Sequence, residues 1–408
     1  MGLVCAVAVV LVIGIFAIVT RSELTWEVEL DGANEVRDAD ADRILVETFD
    51  DELVVLDRED GAELGRFDFG SEVDVDEVGL VPGGLVLQSR AVPDFDDSVP
   101  DDQSSQLRLV DNEGELVWTH DEASRLALLG LVIDDGVAAI STAGGSLVGL
   151  DLADGEVRWR RDLTDPRGVP PTSGPLLREV AVVLGRGKDA TEIVSLGDGA
   201  SLGTSPTVED ASVAYWHDVV LTLAEGKFGR WVAGREAPLE DDELPTDPGL
   251  LGHVSGGAVG FVADGQAWGI DLEAGTVAPT PVEGTDNLDA GRTTGVIGED
   301  GLVVADLGTG EVLLRRDADR ADVAVLTTGT GSVLMVDALG WPTALRHGIT
   351  GDEAGRVFVL DREGDEHGAF YSRPVDVIDF TVLDQHEAVI VTKQVGDRGA
   401  DRVILMGR

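Results

Sequence analysis

The chain has 408 residues, enough for two average domains or one large repeat architecture. Hydrophobic residues make up 43%, which can bury a sizeable core and excludes global disorder. Asp and Glu number 78 against 30 Lys and Arg, and the resulting formal charge of −48 repels phosphate backbones, which excludes nucleic acid as a partner. Only three of the basic residues are lysines, Lys188, Lys227 and Lys393. Acidity spread over the whole chain with so little lysine reads as adaptation to high salt. The single cysteine, Cys5, excludes intramolecular disulfides and any cysteine-built metal site.

Residues Gly2 to Thr20 read GLVCAVAVVLVIGIFAIVT, with no charge before Arg21. Leu3 to Val19 is an apolar run of 17 residues, at the short end of what spans a bilayer. A cleaved signal peptide would show a basic start and a small-x-small exit. No Lys or Arg precedes this run, and Ile18-Val19-Thr20-Arg21 lacks that exit. The expectation is therefore an uncleaved transmembrane anchor at 1–20, a short stem at 21–23 and a folded body at 24–408, with residues 3–19 in the membrane. Arg21 is followed by Glu23, Glu27 and Asp31, so flanking charge does not set the orientation. The folded body places the chain as a single-pass protein of the cell membrane, facing outside the cytoplasm.

Leu24 to Leu30 alternates as a strand does. Beyond it the chain repeats itself. Segments 52–70, 106–121, 146–163, 266–282, 302–317 and 356–371 each hold a β-rich run, an Asp, a Gly three or four residues later and a second β-rich run. The pairs are Asp57 with Gly61, Asp111 with Gly114, Asp151 with Gly155, Asp271 with Gly275, Asp306 with Gly310, and Asp361 with Gly364. Degenerate copies lie around Ile193–Leu196 and Phe228–Trp231. The spacing is that of a hairpin: the Asp accepts bonds from backbone N–H groups ahead of it, and the Gly supplies the positive φ that the turn needs. Further strands precede most copies, at Ile44–Val46, Val137–Ile140, Val180–Val183 and Ala258–Phe261. The unit is about four strands per roughly 40 residues, the blade of a β-propeller.

The fold expected is all-β, a single β-propeller of four-stranded blades after one N-terminal transmembrane helix. Second strands start near Ile44, Leu85, Val137, Val180, Val219, Ala258, Thr294, Val333 and Ala388. At ~45 residues per blade the body holds between eight and nine, and eight is chosen, with seven or nine as alternatives. Trp26 occupies the place in its strand that Trp159 occupies in an outer hairpin strand. Ala388–Lys393 and Arg402–Met406 supply inner strands without an outer one, so residues 24–30 are expected to complete the C-terminal blade.

The run Leu150-Asp151-Leu152-Ala153-Asp154-Gly155-Glu156-Val157-Arg158-Trp159 closely resembles the pyrroloquinoline-quinone-type propeller repeat, in which a strand, Asp, Gly and Trp recur in that order. Trp118 fits the same place after Asp111 and Gly114. Other copies carry Gly65, Ala278, Leu313 or Gly368 near the Trp position, so the belt of docked Trp residues that this family uses is expected to be incomplete.

Three functions follow from the resemblance. Quinoprotein dehydrogenases of this family hold pyrroloquinoline quinone in the central channel with a calcium ion, many beside a vicinal cysteine pair. Here the only cysteine lies in the anchor, and no residue matches the calcium ligands one by one. The second class resembles the propeller subunit of the bacterial outer-membrane protein assembly machine, a non-catalytic scaffold. An extracellular sugar- or polymer-binding propeller is the third. The favoured reading is a non-catalytic, membrane-anchored propeller acting as a protein-interaction scaffold at the cell envelope, with envelope proteins as partners and no cofactor.

Residue patterns for chemistry are sparse. Asp38–Asp42 opens like a calcium loop, but Arg43 stands where Gly is required and Phe49 where the closing Glu belongs. Asp94–Asp102 reads as a solvated acidic insertion. His120, His217, His253, His347, His367 and His386 are scattered without metal-ligand spacing. Gly185–Asp189 lacks the spacing of a phosphate-binding loop. No catalytic residue or metal ligand is assigned. Apolar positions are consumed by strand alternation, so binding is expected at loop-built faces or the central funnel rather than on blade sides, with partners of basic surface.

Uncompensated acidic charge opposes compaction, and molar salt shortens its reach to ~3 Å. The body without residues 1–21 is expected to melt appreciably higher in molar KCl than in dilute buffer. A melting temperature unchanged by salt would contradict the high-salt reading.

Overall fold

Central strands such as Leu53–Asp57, Ser146–Asp151 and Ala388–Thr392 are apolar at most positions, and nearly all of those side chains are buried. Strands of that composition need cover on both faces, which a single sheet beside water cannot provide. Outer strands such as Val157–Asp162 alternate instead, with Trp159 buried between exposed neighbours. The two patterns together call for sheets stacked face to face, each with a solvated outer strand.

The structure is a computed structural model that describes residues 24–70, 73–91, 104–124, 132–134, 136–141, 146–162, 181–186, 190–206, 212–216, 219–224, 226–240, 245, 251, 254–255, 257–263, 266–283, 293–298, 301–316, 323–327, 333–338, 355–360, 366–372, 377–383, 387–392 and 401–407. The expected anchor and stem at 1–23, the acidic insertion Asp94–Asp102, the turn residues Asp361 and Gly364, and four of the histidines (His217, His253, His347, His386) lie outside these residues. Among the described residues no helix is long and apolar enough to cross a membrane.

The described strands form nine antiparallel sheets, seven of four strands and two of three. In chain order, sheets one to eight lie within 33–67, 73–124, 132–162, 181–206, 212–237, 254–283, 293–316 and 323–372; sheet nine joins 377–406 to Leu24–Glu29. Nine sheets among the described strands compare with the eight units chosen from the repeat length, for which seven and nine were the alternatives. The strands Val323–Thr327, Val333–Ala338, Gly355–Leu360 and Glu366–Ser372 make one four-stranded sheet.

Successive sheets pack against one another, and the ninth returns to the first, which makes the ring of a β-propeller. Carboxylates on the innermost strands help to join them. Asp379 of sheet nine accepts the Val36 N–H of sheet one at 2.7 Å, and Asp38 of sheet one accepts the Leu80 N–H of sheet two at 2.6 Å. Both acids stand at register shifts, after Val377 and after Val36, where a bulge re-aims a side chain out of its own ladder. Arg58 ties the same junction of sheets nine and one, donating through its Nε at 3.2 Å and Nη2 at 2.7 Å to the buried Glu387.

Leu24–Glu29 pairs antiparallel with Arg402–Met406, so sheet nine is built from both ends of the body. Trp26 enters a core cluster with Leu30, Ile44 and Leu405. Asp401 fastens the exit, its carbonyl accepting the Leu30 N–H at 2.9 Å and its Oδ2 the Gly32 N–H at 3.0 Å. Glu27 and Arg402 pair across the two strands at 2.6 Å.

Without this strand, Arg402–Met406 becomes an unpaired apolar edge, and such edges drive association. The chain lacking residues 1–30 is expected to elute as aggregates in size-exclusion chromatography with light scattering, and the chain lacking 1–21 as a single species. Equal elution and equal melting of the two would show that the strand does not close the ring.

Candidate functional site

The described repeat residues lie on five different sheets, one, two, three, six and seven, so the sequence motif does not converge on one centre. In each described copy the Gly N–H donates to the carbonyl of its Asp: Gly61 to Asp57 at 2.9 Å, Gly114 to Asp111 at 3.0 Å, and Gly155 to Asp151, Gly275 to Asp271 and Gly310 to Asp306 at 2.8 Å. These glycines have φ between +70° and +84°, a region that costs other residues strain. The sixth expected turn falls between the strands Gly355–Leu360 and Glu366–Ser372, which pair antiparallel. Its own residues, Asp361 and Gly364, are outside the described ones, so the structure supports this turn glycine at five of the six positions and does not place Gly364.

The Asp side chain accepts N–H groups ahead of it. Asp57 takes Glu59 at 2.7 Å, Asp111 takes Glu113 and Glu115 at 3.0 and 2.8 Å, and Asp151 takes Ala153 at 2.8 Å. Asp271 takes Ala274 at 2.8 Å, and Asp306 takes Gly308 and Thr309 at 2.7 and 3.0 Å. The Ala153 N–H, with Arg158 beside it, holds the Asp151 carboxyl below its ordinary range.

Each of these five glycines also receives a side chain from the preceding sheet. A Cβ on Gly155 would lie 2.7 Å from the Trp118 ring, whose Nε1–H donates to the Leu152 carbonyl at 3.0 Å. Trp159 repeats the contact on Gly199 and donates to Leu196 at 2.7 Å. Trp26 repeats it on Gly61 and donates to Arg58 at 2.9 Å, which gives the closure strand the same role as the hairpin strands.

The belt continues where Trp is missing. Phe67, two positions beyond Gly65, lies against Gly114, and Ala278 and Pro279 lie against Gly310. At Gly275 the docking group is Arg230, whose guanidinium donates to the carbonyls of Leu272 at 2.9 Å, Glu273 at 2.5 Å and Pro238 at 3.3 Å. Sequence reasoning missed Phe67, Arg230 and Gly199. Gly199 follows Ser195 at the spacing by which Gly155 follows Asp151, which was the available signal; Arg230 had none.

Asp40, in the segment that opens like a calcium loop, accepts the N–H groups of Asp42 and Arg43 and pairs with the Arg43 guanidinium at 2.6 Å. It serves a hairpin turn. Burial opposes its charge, and the Arg43 and backbone donors overcome that and hold its carboxyl low. Among the described residues no group of three His, Cys, Asp or Glu side chains comes together to hold a metal ion.

The outer surface differs from the expectation that strand alternation uses up the apolar positions. Leu64, Leu116, Val117, Val157, Leu202 and Val312 are exposed, each within three residues after a turn glycine and each at the start of an outermost strand. The reason is geometric. The outermost strand of a radial sheet has a neighbour on one edge only, so its first residues extend past the covered core.

A family profile described as outer membrane protein assembly factor BamB matches residues 15–221. The search of curated proteins found no match. Among solved structures, BamB from Moraxella catarrhalis is similar at 17% identity and a TM-score of 0.39, covering 82% of this chain and 98% of its own. The C-terminal WD40 domain of Sif2 is similar at 12% identity and a TM-score of 0.44, covering 93% and 97%. The WD40 domain of SCAP from fission yeast is similar at 11% identity and a TM-score of 0.44, with the same coverage of 93% and 97%. With the profile spanning half of the chain over the repeats that carry the Asp, Gly and Trp residues, the protein belongs to the PQQ-like propeller family described as outer membrane protein assembly factor BamB.

Proposed function

We propose that this protein is a non-catalytic protein-interaction scaffold of the cell envelope. In this reading residues 3–19 hold it in the membrane as a single-pass anchor, 21–23 form a short stem, and 24–408 form a ring of nine blades outside the cytoplasm. The observation that carries it is the use of the repeat residues. Asp, Gly and Trp are engaged in turns and in docking between sheets, so the motif builds a rigid ring that presents loops and edges. Membership in a family that includes protein-interaction scaffolds supports the same reading. The formal charge of −48 favours partners of basic surface, with association that weakens as salt rises. The reading includes no quinone and no calcium, and purified protein is expected to carry no quinone absorbance.

Crosslinking of intact cells, followed by purification of the intact chain and of a version lacking residues 1–20, tests the tethered scaffold. Envelope proteins are expected with the intact chain and are expected to be lost from the truncated one. Protease added to intact cells is expected to degrade the body. A protected body would overturn the external placement, and an identical partner set without the anchor would overturn the tether.

A further inference from the structure

Sheet six covers an edge that three other sheets leave open. Beyond the strand Arg235–Ala237 the chain crosses to sheet six, where Glu240 bridges Thr276 in parallel and its N–H donates to the Gly275 carbonyl at 2.8 Å. Leu239 packs against the cluster that contains Val277, and Val277 is only 7% exposed. Val277 stands two residues after its turn glycine. The residues at the same place in sheets two, three and seven are Leu116, Val157 and Val312, and they are 59%, 43% and 37% exposed.

The open edges offer the same backbone groups. Leu116, Val157 and Val312 begin the outermost strands of their sheets, which among the described strands pair on one edge only. Among the described residues no donor reaches the carbonyls of Gly114, Gly155 or Gly310. In sheet four the corresponding carbonyl, that of Gly199, accepts Arg161 Nε at 2.7 Å.

Charge then distinguishes the open edges from the covered one. The residue after the turn glycine is Thr276 in sheet six, where the covering segment places Glu240 beside it. In the open sheets that residue is Glu115, Glu156 or Glu311. An acidic residue placed as Glu240 is would meet a like charge there, and a basic one would meet its counterion.

We propose that the outer edges of sheets two, three and seven are docking sites for extended segments of a partner protein that carry an aliphatic residue followed by Lys or Arg. The aliphatic side chain covers Leu116, Val157 or Val312 as Leu239 joins the cluster around Val277. The N–H of the basic residue donates to the glycine carbonyl, and its cation pairs with the neighbouring Glu. A second copy of this chain does not fit, because its formal charge of −48 repels another copy and its own covering segment carries Glu240. The proposal specifies the partner chemistry of the scaffold reading and rests on it.

The test uses the full chain in detergent and short labelled peptides with the core Ala-Pro-Leu-Lys, which copies 237–239 and places Lys where Glu240 stands. Fluorescence anisotropy at low salt is expected to show binding about tenfold tighter than for Ala-Pro-Leu-Glu or for Ala-Pro-Ser-Lys. The variant L116S/V157S/V312S, altered only at exposed positions, is expected to lose the Lys peptide. The variant E115K/E156K/E311K is expected to prefer the Glu peptide. No binding, equal binding of the three peptides, or binding unchanged in both variants would overturn the proposal. If L116S/V157S/V312S still recovers its partners from crosslinked cells, the scaffold reading stands and the edge sites fall. If the wild-type chain recovers none, the scaffold reading itself falls.

Discussion

A sheet in this ring cannot bury both of its faces alone, and what joins it to the next is a side chain seated on a glycine. The turn that joins the two outer strands of a sheet needs a residue at positive φ, and glycine fills that place without strain. The same missing Cβ leaves a gap over the turn. Into it the preceding sheet inserts Trp26, Trp118, Trp159 or Arg230. Each of these groups then donates an N–H to a backbone carbonyl of the turn that it covers. One residue type therefore solves both the local problem of reversing the chain and the long-range problem of stacking sheets. Indole and guanidinium exchange at this contact because both are flat and both carry donors at the rim.

The seam of the ring lies inside sheet nine, where the two ends of the body meet as neighbouring strands. The junction beside it is tied more than once. Arg58 receives Trp26 on its carbonyl, while its guanidinium reaches Glu387 and the Asp40 carbonyl. Glu387 is buried, and removing its partner from such a pair leaves an uncompensated charge that costs about 3–5 kcal/mol. Arg43, Arg58, Arg161 and Arg230 reach from one sheet to the next, and many of the acids sit in exposed turns, where they accept backbone N–H groups.

Much of this architecture was legible in the sequence, because the hairpin signal is local. An Asp and a Gly at fixed spacing between two β-rich runs specify a turn without reference to the rest of the chain. The closing strand was also legible: Trp26 sits in its strand as Trp159 does, and the last two strands lacked an outer partner. The number of sheets was not, since short strands at slightly variable spacing leave the division between eight and nine to a few residues per repeat. The non-Trp docking groups were hidden for another reason. Phe67 and Arg230 dock through their position in three dimensions, and Phe67 is offset by two residues from the place that the Trp motif marks. The exposed edge residues were misjudged because alternation marks which face of a strand is covered and not how far its first residues extend past the neighbouring core.

The account depends on one contact repeated around the ring, and a double-mutant cycle on Trp159 and Gly199 tests it most directly. Gly199→Ala carries backbone strain at φ +67° and also a clash with the Trp159 ring. Trp159→Ala removes the ring and so relieves the clash. Measured by urea denaturation, the two substitutions together are expected to cost less than the sum of each alone by more than ~1 kcal/mol. Additivity within ~0.5 kcal/mol would show that the residues act independently and would contradict the docked glycine as the bond between sheets.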